Sequence, residues 1–299
     1  MVDLTKRKEI AWNKLMKYEN KNKRYYGTGI LKQMSRLLIF RMRYIYYILA
    51  KKGFPIKREI ETKLFFGLKL KLPTSDPIAL TLSLTPYLGD DLKIVKFLIK
   101  NVKENDIFYD VGANYGIYTA LMTFLLPESE IHVFEPQRHI FKYLKINFKR
   151  QKIFLNNFAL GNRKGKVKLF INTINTGGST IIKGRAKLDK LEKFEKINMI
   201  TLDEYVKEHT PPTIIKLDIE DSEKLFIIGG LKTLKKYKPI IIMEVCGNER
   251  WKYSKQAINS LLRIGYVPYI IDKNGEKKKI SYNKIKKIIK TDSDNLVFI

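Results

Sequence analysis

The chain has 299 residues, 44% of them hydrophobic, so it is long and apolar enough to bury a core, and disorder throughout is excluded. Its 58 lysines and arginines against 30 aspartates and glutamates give a formal net charge of +28, which favours polyanionic partners such as nucleic acid, anionic lipids or acidic glycans. Because Cys246 is the single cysteine, an internal disulfide is excluded and a reducing, cytoplasmic setting is expected.

The first 100 residues are predicted to form a basic extension of helices and a β-hairpin. Helical spacing of apolar residues runs through residues 1–53 and is most clearly amphipathic in residues 30–50. Residues 59–72 predict the hairpin. Residues 76–101 again show helical spacing, and Asp91 is expected to cap the second helix of this region.

The charge of the N-terminal region predicts contact with an anionic surface. Residues 1–60 contain sixteen Lys and Arg against four Asp and Glu, a net charge of +12. Residues 30–50 resemble an interfacial helix but are too short, and too interrupted by arginines, to span a bilayer. Since no secretory signal is expected, one hypothesis is peripheral contact with the inner face of a membrane, and the other is that this helix packs on the rest of the chain. The side chains concerned are Leu37, Leu38, Phe40, Ile45, Ile48 and Leu49 on the apolar side, with Lys32, Arg36, Arg41 and Arg43 on the basic side.

From residue 107 onward, strand-like and helix-like segments alternate, which predicts an α/β fold with a parallel sheet covered by helices on both faces. A hairpin turn is expected at residues 161–165, and the highly charged residues 183–196 are expected to form a surface excursion. The predicted strands are residues 107–110, 131–134, 153–155, 213–217, 240–243, 266–271 and 296–299, and the main predicted helices are residues 117–126, 136–150 and 254–264.

The turn after the first of these strands is the most informative segment. The strand ends on Asp110, and Gly112, Asn114 and Gly116 follow before the next helix. This D-x-G-x-x-x-G spacing differs from the G-x-G-x-x-G turn that binds the pyrophosphate of dinucleotides, and it suits S-adenosylmethionine (SAM), which has no phosphate. Glu135 ends the next strand, where a carboxylate usually binds ribose hydroxyls.

Polar side chains also follow the later strands, where ligands bind in open α/β sheets. Asn157 follows the third strand and suits the adenine end of a nucleoside. Asp218 and Glu220 follow the fourth strand, and Glu244 ends an apolar run in the fifth, where a carboxylate needs a partner. Asp221 and Ser222 are expected to cap the following helix. The three histidines are not spaced for a zinc site, so no metal is expected.

Together these segments resemble the FkbM family of SAM-dependent methyltransferases over about residues 106–245. The matching pieces are DVGANYGIYT (residues 110–119), VFEP (133–136), NFAL (157–160), TLD (201–203), IKLDIE (215–220) with Glu223, and MEV (243–245). The family pattern D-V-E-G-A-E has a glycine and an alanine where this chain has Asp221 and Ser222.

The resemblance implies a Rossmann-like, seven-stranded class I methyltransferase sheet in residues 101–299, preceded by the extension of residues 1–100. It implies methyl transfer from SAM to a hydroxyl, with family acceptors that include polyketides, glycans and lipids. Asp218, Glu220 and Glu244 are the candidates for the general base that a hydroxyl acceptor requires. The expected cofactor-binding residues are Asp110, Gly112, Asn114, Gly116, Tyr118, Thr119, Glu135, Asn157, Ala159 and Asp218.

Two other functions remain open at this point. A nucleic-acid methyltransferase, most plausibly acting on RNA, would use the basic surface, although lysines outnumber arginines 46 to 12 and arginine is the usual reader of phosphates and bases. A non-catalytic SAM- or nucleotide-binding scaffold would need the glycine turn but not the three strand-end acids. A glycan or lipid-linked hydroxyl is therefore the expected acceptor.

Overall fold

The computed structural model describes residues 2–22, 59–84, 90–149, 152–173, 176–289 and 293–299, together with residues 45, 48, 49 and 87. Most of residues 30–50, on which the membrane hypothesis depends, therefore lie outside the described residues. Within the described part, no helix is both long and apolar enough to cross a membrane.

The N-terminal elements are α1 (Leu4–Asn22), β1 (Glu59–Lys63), β2 (Lys69–Pro73), α2 (Pro77–Leu84) and α3 (Asp90–Asn101). Strands β1 and β2 pair as the predicted antiparallel hairpin. The expected cap at Asp91 was wrong, because this residue lies inside the first turn of α3 and its carboxylate accepts a hydrogen bond from the Tyr118 hydroxyl at 2.5 Å.

The rest of the chain alternates strands and helices as predicted. The elements are β3 (Phe108–Val111), α4 (Ile117–Leu125), β4 (Ile131–Phe134), α5 (Arg138–Asn147), β5 (Ile153–Asn156), β6 (Ala159–Leu160), β7 (Gly165–Phe170), α6 (Lys183–Leu188), β8 (Phe194–Ile200), α7 (Leu202–Tyr205), β9 (Ile214–Leu217), α8 (Glu223–Gly229), α9 (Leu231–Tyr237), β10 (Ile240–Cys246), α10 (Trp251–Arg263), β11 (Pro268–Ile271), β12 (Lys277–Lys279), α11 (Tyr282–Ile288) and β13 (Ser293–Phe298).

The main sheet has the strand order β12-β11-β13-β10-β9-β3-β4-β5. Strands β5, β4, β3, β9 and β10 are parallel neighbours, and β13 is antiparallel to both β10 and β11. These are the seven expected strands, with the last one antiparallel. The eighth strand, β12, consists of three exposed lysines and adds to the edge of β11, which is where lysines discourage pairing with another chain.

A small three-stranded sheet lies beside the main one and corrects the hairpin expectation. Its order is β6-β8-β7, so the residues on either side of the turn at 161–165 do not pair with each other as a hairpin. Both pair with β8 instead. The charged residues 183–196 form helix α6 and the start of β8, and most of them are exposed, in line with the predicted surface excursion.

Apolar layers cover both faces of the main sheet. Strands β3, β4 and β9 are buried along their whole length, as parallel strands between two helical layers are. One face packs against α4 and the N-terminal elements, including Ala11 and Leu15 of α1. The other face packs against α8 and α10 through Phe226 and Ile258. The two layers hold the carboxyl ends of the strands together at one edge.

Candidate cofactor and acceptor site

A cavity lies at the carboxyl ends of β3, β4 and β9, where open α/β sheets bind their ligands. Of the expected site residues, Gly112, Asn114, Glu135, Ala159, Asp218 and Glu220 line it. Sequence reasoning missed the other lining residues. These are Val111, Phe134, Pro136, Gln137, Phe158, Leu160, Leu169, Gly177, Ser179, Ile181, Ile219 and Ser222.

The two positions of the turn require glycine for different physical reasons. Gly112 has φ +81°, and a Cβ there would lie 1.9 Å from the backbone oxygen of Asp218. Gly116 has φ +79°, and its Cβ would lie 2.5 Å from the ring of Phe148. Gly112 therefore allows the first and fourth strand ends to meet at the cavity, whereas Gly116 allows the turn to pack against α5 and the residue that follows it.

Glu135 is buried at the tip of β4, with only 3% of its surface exposed. Its Oε2 accepts a hydrogen bond from the Asn114 backbone N–H at 2.9 Å, and its Oε1 accepts one from the Gln137 N–H at 2.8 Å. Burial raises the pKa of the Glu135 carboxyl to about 7, although these two N–H groups act in the opposite direction. Each oxygen keeps a free lone pair, so this carboxylate can still accept hydroxyl donors in the cavity.

Asp110, Tyr118 and Thr119 do not line the cavity. The Asp110 carboxylate accepts hydrogen bonds from the Thr119 N–H at 3.0 Å and the Thr119 hydroxyl at 2.6 Å, and it is 1% exposed. Burial raises the pKa of Asp110 to about 6, against these bonds and the charge of Lys216. The Asp110 and Thr119 side chains thus tie β3 to the first turn of α4 and hold the glycine turn in place, whereas the Tyr118 hydroxyl bonds Asp91 of α3.

Asn157 also acts from outside the cavity wall. Its side-chain amide donates to the backbone oxygens of Glu135 at 2.9 Å and Pro136 at 3.1 Å. Ala159, two residues later, lines the cavity. Asn157 therefore fixes the backbone that carries Glu135.

The three candidate bases come together as predicted from the strand ends. One carboxylate oxygen from each of Asp218, Glu220 and Glu244 lies within 4.8 Å of the other two. Such a set of oxygens is suited to a hard divalent cation. Two protein cations already face it, since Lys216 Nζ lies 3.0 Å from Asp218 Oδ2 and Arg250 Nη2 lies 2.6 Å from Glu220 Oε2.

Burial and like charge act together on these acids. Burial raises the pKa of Glu220 well above its ordinary value, and Arg250 opposes this shift. Burial and the neighbouring Asp218 raise the pKa of Glu244. Burial alone would lower the pKa of Lys216, but the carboxylates of Asp218 and Glu244 outweigh it and raise that pKa. Glu220 and Glu244 therefore hold protons more tightly than isolated carboxylates do, and Lys216 stays charged.

The segment that departs from the family pattern is held by arginines. Ser222 lies at the N-cap position of α8, as expected, but its side chain makes no cap hydrogen bond, and Asp221 lies one residue before that position. Instead, the buried Asp221 Oδ2 lies 2.8 Å from the Nε of Arg185 and 2.8 Å from the Nε of Arg250. The backbones of Glu220 and Asp221 are both in the left-handed conformation, with φ +52° and +70°. Residues with a Cβ disfavour this conformation, whereas glycine adopts it freely. The ion pairs stabilise an acid where the family has glycine.

A loop from the neighbouring sheet closes one side of the cavity and is anchored to the N-terminal elements. The Asp76 carboxylate accepts hydrogen bonds from the hydroxyls of Tyr115 at 2.6 Å and Thr176 at 2.7 Å. The Thr180 hydroxyl donates to the Glu220 backbone oxygen at 2.7 Å. Asp76 lies 39 residues from Tyr115 and 100 residues from Thr176, so the sequence offered no local signal for this contact.

A second, larger cavity of about 550 Å³ lies beside the first. Glu220 lines both cavities and so lies in the wall between them. The other lining residues of the second cavity are Ile171, Asn172, Thr173, Gly178, Arg185, Asp189, Lys190, Leu191, Glu192, Lys193 and Arg250. Sequence reasoning missed Arg185 and Arg250, which follow no recognisable motif. Lys216 had a signal, because it interrupts an apolar strand two residues before Asp218.

This strand order, with a glycine turn after the first strand and acids at the strand ends, defines a class I methyltransferase. The profile of the methyltransferase FkbM domain matches residues 110–268, which is more than half of the chain. The chain belongs to the FkbM family of SAM-dependent methyltransferases.

Several known proteins are similar to this chain. The hexuronic acid methyltransferase AglP of Haloferax volcanii is 22% identical over 156 residues, which cover 51% of this chain and 61% of that protein. The crystal structure of an FkbM methyltransferase from Methylobacillus flagellatus KT matches 74% of this chain and 52% of its own, at 16% identity and a TM-score of 0.47. Fibrillarin of Aeropyrum pernix, solved with natively bound SAM, matches 69% of this chain and 73% of its own, at 11% identity and a TM-score of 0.38.

Proposed function

We propose that this protein is an O-methyltransferase that uses SAM to methylate a hydroxyl group of a sugar, within a glycan or a glycolipid. The observation that carries the proposal is the position of Glu220, whose carboxylate lies in the wall between two cavities. One cavity has the features of a nucleoside site, and the other has the size and polarity of an acceptor site. The name of the similar hexuronic acid methyltransferase supports a sugar as the acceptor.

The residues of the first cavity fit SAM. Gly112 lines this cavity, and because any Cβ there would collide with the backbone of Asp218, only glycine lets these two strand ends form the cavity wall together. Glu135 would hold the ribose hydroxyls with the lone pairs that its two N–H donors leave free. Phe158 and Leu160 would supply apolar surface for the adenine ring, and Asn114 and Gly112 line the same cavity.

Bound SAM supplies a methyl group on a sulfonium, an electrophile that needs positioning more than activation. The chain must then position the acceptor hydroxyl and take up its proton. Glu220 is the best placed of the three acids, because it alone lines both cavities. Its raised pKa makes its carboxylate a stronger base than an exposed one, and Arg250 stabilises the ionised form that accepts the proton. Asp218 and Glu244 are the other two carboxylates near Glu220, and Lys216 supplies a positive charge beside them.

The test is methyl transfer from radiolabelled SAM to purified acceptors. We expect label in oligosaccharides, as methyl ethers that survive mild alkali, and much less label in RNA. Glu220→Gln should lower kcat at least tenfold while SAM affinity changes little, because an amide keeps the shape but cannot accept a proton. Glu249→Gln, in the neighbouring exposed turn, is the matched control and should behave as the wild type.

Three outcomes would contradict the proposal. Label found only in RNA would favour the nucleic-acid function. Label released from sugars by mild alkali would show a methyl ester, and hence a carboxylate as the methylated group. Full activity of Glu220→Gln would mean that another acid, or solvent, accepts the proton of the acceptor hydroxyl.

A further inference from the structure

We infer that the second cavity recognises an anionic group on the acceptor, a carboxylate or a phosphate, through Lys190, Lys193 and Arg250. This inference rests on the proposed function and adds the charge of the substrate to it. It is based on which charged groups around the cavity already have a partner of opposite charge and which do not.

Most of the acids near the cavity already have an arginine as partner. Asp189 forms an ion pair with Arg185, and Asp221 lies between Arg185 and Arg250. Glu220 is paired with Arg250. Of the lining acids, Glu192 alone forms no ion pair with a residue that the structure describes.

Several cationic groups remain available. Lys190 and Lys193 are exposed on the cavity rim and form no ion pair with any residue in the described ranges. Arg250 uses Nε and Nη2 for Asp221 and Glu220, and its Nη1 donates to no described residue. One quarter of the Arg250 side chain is exposed. Because a guanidinium carries five N–H donors in a fork, the free nitrogen can bind an anion while the others hold the acids.

Backbone strain is concentrated around the same cavity. Lys190 is left-handed, with φ +53°, just after the end of α6, where glycine or asparagine is usual. Glu220 and Asp221 share this conformation, and so does Asn248, in the turn that carries Arg250. Such residues cost free energy and cluster at functional sites. Lys190 has this strained conformation at the end of α6, and it places a positive charge at the rim of the cavity.

This arrangement also orients the acceptor. An anion bound to Arg250 lies next to Glu220, because the same guanidinium contacts that carboxylate at 2.6 Å. A hydroxyl on the same sugar ring then lies toward the wall between the two cavities. The anion thus serves as the handle, and the hydroxyl is the group that reacts.

The experiment compares ligands that differ only in charge. Calorimetry of the full chain with S-adenosylhomocysteine would use oligosaccharides ending in glucuronate, glucose 6-phosphate or glucose. We expect one of the two anionic ligands to bind about tenfold or more tightly than the neutral one, since a charge-assisted hydrogen bond has this magnitude. Whichever anion is preferred identifies the group.

The variant Lys190→Gln/Lys193→Gln should weaken binding of the preferred anionic ligand about tenfold and leave the neutral ligand unchanged. Lys187→Gln, an exposed lysine of α6 that does not line the cavity, is the matched control. Equal affinity of the wild type for all three ligands would overturn the inference, as would an equal loss for charged and neutral ligands in the variant. If an anionic sugar binds selectively but no sugar is methylated, the proposed function fails and this inference stands.

Discussion

Arg250 and Asp221 form a buried ion pair, with Nε and Oδ2 2.8 Å apart, at the position where the family pattern has glycine. Arg185 contacts the same carboxylate oxygen from the other side. The pair joins the segment after β9 to the turn before α10, and it holds two consecutive residues in the left-handed backbone conformation beside the second cavity. Its removal should therefore affect both stability and the shape of the site.

Two substitutions separate the ion pairs from the backbone conformation. Asp221→Ala and Asp221→Gly both remove the carboxylate and should destabilise the fold by about 3–5 kcal/mol, because they leave the buried Arg185 and the partly buried Arg250 without this partner. Asp221→Gly should be about 1 kcal/mol more stable than Asp221→Ala, since glycine adopts φ +70° without strain. Urea denaturation measures the difference. If alanine were as stable as glycine at this position, the left-handed conformation would not be a source of strain.

Glu135 should control the affinity for SAM. Glu135→Ala removes the acceptor for ribose hydroxyls and for the N–H groups of Asn114 and Gln137, so SAM should bind at least tenfold more weakly. Calorimetry measures the affinity, and circular dichroism confirms that the fold is retained. Glu128→Ala, an exposed acid outside the cavity, should bind SAM normally. Normal affinity in both variants would disprove the ribose assignment.

Stability should fall as the pH rises through the neutral range. Burial raises the pKa of Glu135 to about 7 and that of Glu223 to about 8, both above the ordinary value of 4.5. From the ordinary value up to the raised pKa of each group, the folded chain holds a proton that the unfolded chain has released. The free energy of unfolding therefore decreases with increasing pH, by up to about 1.4 kcal/mol per pH unit and group.

The buried His132 has the opposite effect on stability, because its pKa is lowered from 6.5 to about 4. Its contribution changes only below about pH 6.5, where the unfolded chain takes up a proton that the folded chain does not. Urea midpoints measured from about pH 6.5 to 8.5 therefore isolate the acids. Glu135→Gln and Glu223→Gln should each flatten the dependence, and Glu128→Gln should leave it unchanged. A wild-type midpoint that stays constant or rises over this range would refute the assignment.

Lys216 should set the pH dependence of activity. Lys216→Met removes the ammonium 3.0 Å from Asp218 and leaves the three acids without one of their two cations. The pKa values of the acids should then rise, and the acidic limb of the kcat/KM profile should move to higher pH, with kcat lower about tenfold at neutral pH. Lys235→Met, on the exposed side of α9, is the control. An unmoved profile would mean that Lys216 only fills space.

The membrane hypothesis can be tested by flotation with anionic and zwitterionic liposomes. We expect the intact chain to float with anionic liposomes at low salt, and Arg36→Gln/Arg41→Gln/Arg43→Gln to float less, because each basic residue near an anionic leaflet contributes roughly 1 kcal/mol. A matched loss of charge elsewhere, Lys277→Gln/Lys278→Gln/Lys279→Gln in β12, should have a smaller effect. If the intact chain stays in solution, or RNA displaces it from the liposomes, the membrane hypothesis fails.

Sequence reasoning found the parts of this structure that local patterns determine. Apolar runs located the parallel strands, and the turn with Gly112, as well as Glu135, fell where ligands bind in this fold. The lysine strand β12 was missed because three consecutive charged residues have no apolar alternation. Arg250 and Asp76 were missed because they act on partners that only the folded chain brings near. The residues of the first cavity that lie in recognisable motifs could thus be predicted, whereas in the second cavity only Glu220 could.

Helix α1 has a consequence for how the chain is made. Ala11 and Leu15 are fully buried, in the same apolar layer as α4, which begins at Ile117. During synthesis, α1 leaves the ribosome about 100 residues before these partners exist. Until then its apolar side is exposed, and the long loop between the contacts must close before burial stabilises it. A segment made well before its partners is therefore late to reach its native place, and its apolar side is open to aggregation in the interval.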